Sequence, residues 1–386
     1  MTTHRERVLT ALAHKEPDRV PFDMGQSAVT GISQFAYGNL LKALGKEGRD
    51  IRVFDIVQQL AEVDEDILEM FGVDMRGVYF GNPMGWELEI KDIGDYTTFT
   101  DVWNVQWRMP KNGGFYYDLW KHPLRGENPD DIDHIKIMEP VDLQRAKPLI
   151  ENARKLREEN QYFTLIGQCA YTVGFLQQMQ WLQGFEDSYI NIGINPYFTD
   201  KLLDRLEELE TRFWDWFLPL GGEYIDMLVM ADDYAGQRTF LIDPEAFRRH
   251  FKPRYIRLFS RIKKAAPHMK VFFHCCGAMY DIIPDVIEMG VDILNPLQFN
   301  SPGMDLKTVK KEFGRDLAFW GGGIDTQKTL PRGTPEEVKD EVRRNLEVLM
   351  PGGGFVFNTV HDIQADVPPE NILAMVSAVQ EYGLYR

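Results

Sequence analysis

His274, Cys275 and Cys276 stand where the short apolar run Lys270-Val271-Phe272-Phe273 gives way to Gly277. Borderline and soft metal ligands here meet the end of a strand-like segment. His274 and Cys276 are separated by one residue, so in extended backbone both side chains leave the same face. An H-x-C pair of that spacing can hold one zinc ion if a third ligand arrives from elsewhere. The competing reading is a buried thiol beside a hydrogen-bonded imidazole, an arrangement that cores commonly contain.

Across 386 residues, 43 Lys and Arg stand against 59 Asp and Glu, a net charge of −16. That acid excess argues against nucleic acid or an anionic membrane as partner, and against a polyanion site unless bases gather locally. Cys169, Cys275 and Cys276, two of them adjacent, are no disulfide framework and point to a reducing, cytoplasmic setting. The segment from Met1 to Pro21 is charged and interrupted by Pro17, unlike a signal peptide, and no apolar run approaches a membrane span.

The elements that must position these groups recur along the chain. Eight β-like runs are legible: Arg19 to Met24, Val73 to Val78, Tyr162 to Gly167, Ile225 to Met230, Lys270 to Phe273, Val291 to Asn295, Leu317 to Gly321 and Gly354 to Asn358. Helical patterns separate the last six. This alternation predicts an α/β fold, a (β/α)8 TIM-type barrel forming a single domain over residues 1–386. Pro196 to Phe217, Pro244 to Ala266 and Thr334 to Met350 read as helices, and a last helix follows Pro368-Pro369. Residues 80–135 are rich in Trp, Tyr, Gly and Pro, and alternate at Trp86-Glu87-Leu88-Glu89-Ile90. They predict a β-rich insertion near the barrel mouth, its rings mainly packed and a few lining an apolar pocket.

In such a barrel the functional groups lie just past the C-terminal ends of the strands. Those positions hold Gln168 and Cys169, then Asp232-Asp233-Tyr234, then His274-Cys275-Cys276, then Gln298, then Gly322 to Asp325, then Asn358 to Asp362. His274, Cys276 and His361 can converge on one mouth as metal ligands; for His361 the alternative is a surface loop. Asp232 and Asp233 either cap a helix start or stand in the mouth as general acid/base or substrate anchor. Gln168, Tyr234, Gln298 and Asn358 are candidate substrate contacts. Gly352-Gly353-Gly354 precedes a strand, where a phosphate loop would follow one, and predicts a tight turn.

The opening Arg5-Glu6-Arg7-Val8-Leu9-Thr10-Ala11-Leu12, the following Pro17-Asp18-Arg19-Val20-Pro21, the Asp232-Asp233 corner ahead of Pro244 to Tyr255, and the closing Pro368-Pro369-Glu370-Asn371-Ile372 together resemble the uroporphyrinogen decarboxylase superfamily. The resemblance runs over essentially the whole chain and implies an eight-stranded barrel. True decarboxylases of that superfamily carry an Arg-Gln-Ala-Gly-Arg-Tyr-type segment after the first strand, whose arginines hold tetrapyrrole carboxylates. The matching stretch Met24-Gly25-Gln26-Ser27-Ala28-Val29 has no arginine, which argues against that activity.

The superfamily's other branch contains corrinoid-dependent methyltransferases, which bind zinc through H-x-C and a late cysteine. His274 and Cys276 match the pair, and the late cysteine falls on His361. The resemblance therefore implies either zinc (Zn2+) on one thiolate and two imidazoles or no metal site. One thiolate would leave about one positive charge on zinc, a stronger Lewis acid than a two-thiolate site. The expected function is transfer of a methyl group from a small methylated donor, O-methyl and aromatic compounds among them, to the Co(I) corrinoid of a partner protein. Asp232, Asp233 or Asp362 would orient a ligand or protonate the leaving group, and the corrinoid protein would dock around the strand ends. The alternatives are a metal-independent decarboxylase or lyase using Asp232-Asp233 with His361 as proton donor, and a non-catalytic corrinoid- or ligand-binding relative. Barrels of this size often self-associate, so a homo-oligomer is compatible with the chain.

Overall fold

A computed structural model describes residues 2–80, 86–125, 129–134, 143–167 and 173–385. Gln168 and Cys169 lie outside the described residues, as does part of the 80–135 insertion.

Seven of the eight expected runs form one parallel sheet: Met75–Val78, Phe163–Ile166, Met227–Ala231, Lys270–His274, Ile293–Asn295, Ala318–Trp320 and Phe355–Val356, hydrogen-bonded in chain order. The central strands are nearly all apolar because helices cover their outer face and the barrel interior receives the other. The eighth run is not a ladder strand. Phe22 makes an isolated parallel bridge to Phe357. Asp23 N donates to Phe357 O at 2.9 Å, and on the opposite side Asp74 N donates to Phe22 O at 2.9 Å. The extended segment thus fills the gap between the first and last strands of a (β/α)8-type barrel. Pro21 has no N–H to offer, so pairing there stays local.

The helices follow their sequence signals. Pro196–Gly221 is capped by the Asn195 side chain, and Pro335–Leu349 opens on a Thr334/Glu337 capping box. The expected helix from Pro244 to Ala266 is instead interrupted by a π turn, Phe247–Phe251, before Lys252–Ala265. Pro253 cannot donate to the preceding turn, and the helix widens just ahead of it.

At the N-terminal face the helix His4–Leu12 is tied to the sheet by ions. Asp74, fully buried, accepts from His4 Nδ1 at 2.7 Å, Arg7 Nη1 at 2.8 Å, Arg19 Nη1 at 2.7 Å and Phe22 N at 2.9 Å. That end of the barrel is closed, and the opposite end is left for chemistry.

The insertion is a four-stranded antiparallel sheet, Lys91–Ile93, Tyr96–Thr100, Gln106–Pro110 and Asp118–Lys121. Residues 86–90, expected to alternate as a strand, are irregular instead. The sheet is anchored where Trp107 meets Trp181 with ring centroids 5.1 Å apart, and where Tyr117 N donates to Val57 O at 2.8 Å. Val57 lies in the segment between Met24 and the helix Glu65–Phe71, and Trp181 in the helix Phe175–Gln183. Among the described residues no helix is long and apolar enough to cross a membrane.

Candidate metal centre

The strand Lys270–His274 stops at His274, and the chain turns at Gly277, whose φ is +92°. A Cβ there would lie 2.2 Å from the Gly236 carbonyl oxygen, so only glycine allows the turn. Gly277 N donates to Gln298 Oε1 and Cys276 N to Asp233 Oδ1, each at 2.7 Å. These bonds hold the Cys276 thiol toward His274, with Sγ 3.4 Å from Nε2. Cys275 faces the other way, into the core, and its Sγ accepts from Tyr234 N at 3.4 Å. From beyond the last strand His361 closes the group, its ring centroid 5.5 Å from that of His274. One ligand atom from each of His274, Cys276 and His361 lies within 4.8 Å of the others.

The donor set suits zinc. Tetrahedral geometry with ordinary Zn–N and Zn–S lengths separates nitrogen from sulfur by about 3.6 Å, close to the spacing of His274 and Cys276. Burial pushes the pKa of both imidazoles down, which keeps them in the neutral, ligating form. Burial and the charge of Asp233 push the Cys276 thiol up, so without a cation it holds its proton. The His361 side chain is 34% exposed, which leaves an open side to the cluster.

The acids divide sharply. Asp233 stands at the mouth, 43% exposed, with Oδ1 3.8 Å from His274 Nε2. Asp232 is fully buried and takes hydrogen bonds from Leu176 N at 3.0 Å, Gln177 N at 2.8 Å, Tyr234 Oη at 2.5 Å and Tyr255 Oη at 2.6 Å. It holds the start of the helix Phe175–Gln183, which is the capping alternative and not a place in the mouth. Burial nevertheless pushes its carboxyl up to about 6. Asp362 is also sealed from solvent: Oδ1 accepts from Gly31 N, and Oδ2, 3.5 Å from His361 Nδ1, has no hydrogen-bond partner. Burial pushes this carboxyl up to about 8. Its contact in the cluster is with His361.

Three of the expected substrate contacts serve the scaffold. Tyr234 donates to Asp232, Gln298 accepts from Gly277 and donates to Gln237 Oε1 at 2.8 Å, and Asn358 donates to Asp23 O at 3.0 Å; all three are buried. A position past a strand end places a residue near the mouth but does not say which way its side chain turns. Two residues go unnoticed in the sequence. Asn295 Oδ1 lies 2.5 Å from His274 Nδ1. Asp23, buried, accepts from Trp320 Nε1 at 2.9 Å while its Oδ1 has no hydrogen-bond partner. Burial, with the charge of Asp362 adding to it, pushes Asp23 up to about 7. Asn295 ends a β-like run and Asp23 stands one residue before the end of another, which is the one signal that could have singled them out.

Residues 104–382 match the family model described as uroporphyrinogen decarboxylase (URO-D). The chain is 25% identical over 191 residues to a uroporphyrinogen decarboxylase of Magnetococcus marinus, covering 49% of this chain and 50% of that protein. It is 27% identical over 160 residues to a methylated-thiol–coenzyme M methyltransferase of Methanosarcina mazei, covering 42% of this chain and 39% of that one. The matched stretches thus span about half or less of these relatives' own length. Among solved structures, a methyltransferase from Methanosarcina mazei superposes with a TM-score of 0.65 over 99% of both chains at 20% identity, a likeness of fold. With more than half of its length matched, the chain belongs to the uroporphyrinogen decarboxylase (URO-D) family.

Proposed function

We propose that this chain is a methyltransferase that moves a methyl group from a small methylated donor, an O-methyl compound first among them, to the Co(I) corrinoid of a partner protein. Zinc held by His274, Cys276 and His361 would act as Lewis acid. The observation that carries this reading is the convergence of one thiol and two neutral imidazoles at the open end of the barrel. The family's inclusion of both decarboxylases and a methyltransferase supports it. So does the first loop: Met24 to Val29, the stretch that matches the arginine clamp for carboxylates, carries no arginine.

When bound, zinc on one thiolate and two imidazoles supplies about one positive charge to the oxygen of the donor. The C–O electron pair stays on that oxygen as the methyl group departs. Asp233, exposed and beside His274, is the acid that would orient the donor or relay a proton to that oxygen. The corrinoid protein would dock around the strand ends, in a reducing cytoplasm that would keep Cys276 free. Incubating the zinc-loaded protein with Co(I) corrinoid and a panel of methyl ethers should give the visible spectrum of methylated cobalt with at least one donor. Absence of methylated cobalt with every donor would reject the reading.

A metal-independent decarboxylase is the second reading, favoured by the decarboxylases among the relatives. Full activity of His274→Ala on a small carboxylic acid would establish it.

A further inference from the structure

The two imidazoles of the cluster are not set alike. Asn295 stands opposite His274 in the parallel register, and its side-chain nitrogen donates to the Trp320 carbonyl oxygen at 2.6 Å. A carbonyl oxygen can only accept, so the amide has one permitted orientation. Its Oδ1 therefore faces His274 Nδ1 at 2.5 Å, and since that oxygen also only accepts, Nδ1 carries the proton. Nε2, on the far side of the ring, lies 3.4 Å from the Cys276 sulfur.

The amide itself is held firmly. Asn295 is fully buried, and its main-chain oxygen accepts from Cys275 N at 2.8 Å, between the two ligands. Gly321, at φ +89°, makes room for it: a Cβ there would lie 2.9 Å from Asn295 Nδ2. Trp320, which receives the amide proton, is fixed in turn by its indole bond to Asp23. His361 differs: its Nδ1 accepts from Asp362 N at 2.8 Å, so the proton of its ring sits on Nε2.

We infer that Asn295 is a positioning residue that holds His274 in its Nδ1–H form, with Nε2 aimed at Cys276. Its purpose rests on the zinc reading above; the proton's place on the ring does not. The His274–Cys276 pair is thereby prearranged for a cation, and His361 completes the set only by shifting its proton or leaving the Asp362 amide. An outer partner that fixes a ligating histidine in this way typically changes metal affinity by roughly 10- to 100-fold.

The test uses full-length protein with 15N-labelled histidine, freed of metal by a chelator, and long-range 1H–15N NMR of the ring nitrogens near pH 7.5. His274→Gln identifies the signals. The native protein should show His274 protonated on Nδ1, Asn295→Ala should lose that preference, and Asn295→Asp should keep it. Titration with zinc against a chromophoric chelator should then show Asn295→Ala weaker by roughly 10- to 100-fold, with Asn295→Asp near native. A native His274 protonated on Nε2, or one unchanged in Asn295→Ala, would overturn the inference. Asn295→Asp failing like the alanine variant would overturn it too, because the role would then belong to the Trp320 bond. Native protein that shows the Nδ1–H ring and its dependence on Asn295, yet takes up no zinc, would leave the inference standing and remove the zinc reading.

Discussion

Replacing Asp23 by asparagine should change how the barrel's stability depends on pH. Burial beneath the mouth, with Asp362 nearby, pushes the folded-state carboxyl up to about 7, while Trp320 Nε1 satisfies only one of its oxygens. In the unfolded chain the group titrates near its ordinary value of about 3.9. Between those values the native state holds the proton more tightly than the unfolded state. Asp23 therefore withdraws stability as pH rises from about 4 to about 7. At about 1.36 kcal/mol per unit, the native protein loses on the order of 3 kcal/mol from this group between pH 5 and pH 8. Asparagine can still accept from Trp320 but leaves a buried N–H without a partner, at a cost of about 1–3 kcal/mol that does not vary with pH. Asp23→Asn should therefore be less stable than native protein at pH 5 and equal or more stable at pH 8. Urea unfolding of both proteins from pH 5 to pH 8 reads the difference directly. A gap between them that stays constant across that range, or that widens against the variant as pH rises, would refute the reasoning.

The remaining predictions concern the closed end and the site. Asp74→Ala should cost about 3–5 kcal/mol in urea unfolding, because Arg7 and Arg19 lose a shared buried partner; a loss below about 1 kcal/mol would contradict it. Burial raises the Asp74 carboxyl, but His4, Arg19 and Arg7 outweigh that and hold it below its ordinary value. Its contribution is therefore complete above about pH 4 and should fade only as pH falls further. Gly277→Ala must abandon its left-handed turn, destabilising by about 2 kcal/mol or more, and should lose bound zinc because Cys276 moves with it. Zinc content equal to native would refute that link. Asp233→Asn should keep its zinc while methyl transfer falls roughly 100-fold, and undiminished transfer would remove Asp233 as proton donor.

Much of the scaffold was legible because parallel strands buried on both faces are unbroken apolar runs, and Val271-Phe272-Phe273 or Ile293-Leu294 can be little else. What the apolar pattern conceals is pairing. Arg19 to Met24 has the composition of a strand, yet Pro21 confines it to bridges. Adjacent residues posed a sharper problem. Asp232 and Asp233 differ by one position and face opposite ways, one into a helix start and the other into the mouth. Cys275 and Cys276 repeat this, and a one-residue change in register would exchange their roles. The H-x-C spacing already implied that His274 and Cys276 share a side, and the strand-end rule brought His361 to the same mouth. Asn295 escaped notice because an amide shows its purpose only through its partners, and these lie on two neighbouring strands.

Elemental analysis of zinc per chain, on protein purified under reducing conditions beside Cys276→Ser and His361→Ala, tests the central claim most directly. About one zinc per native chain, lost from both variants, is the predicted result for one cluster of three protein ligands. Native protein that takes up no zinc after resupply, or variants that retain it fully, would contradict the metal centre and with it the proposed chemistry.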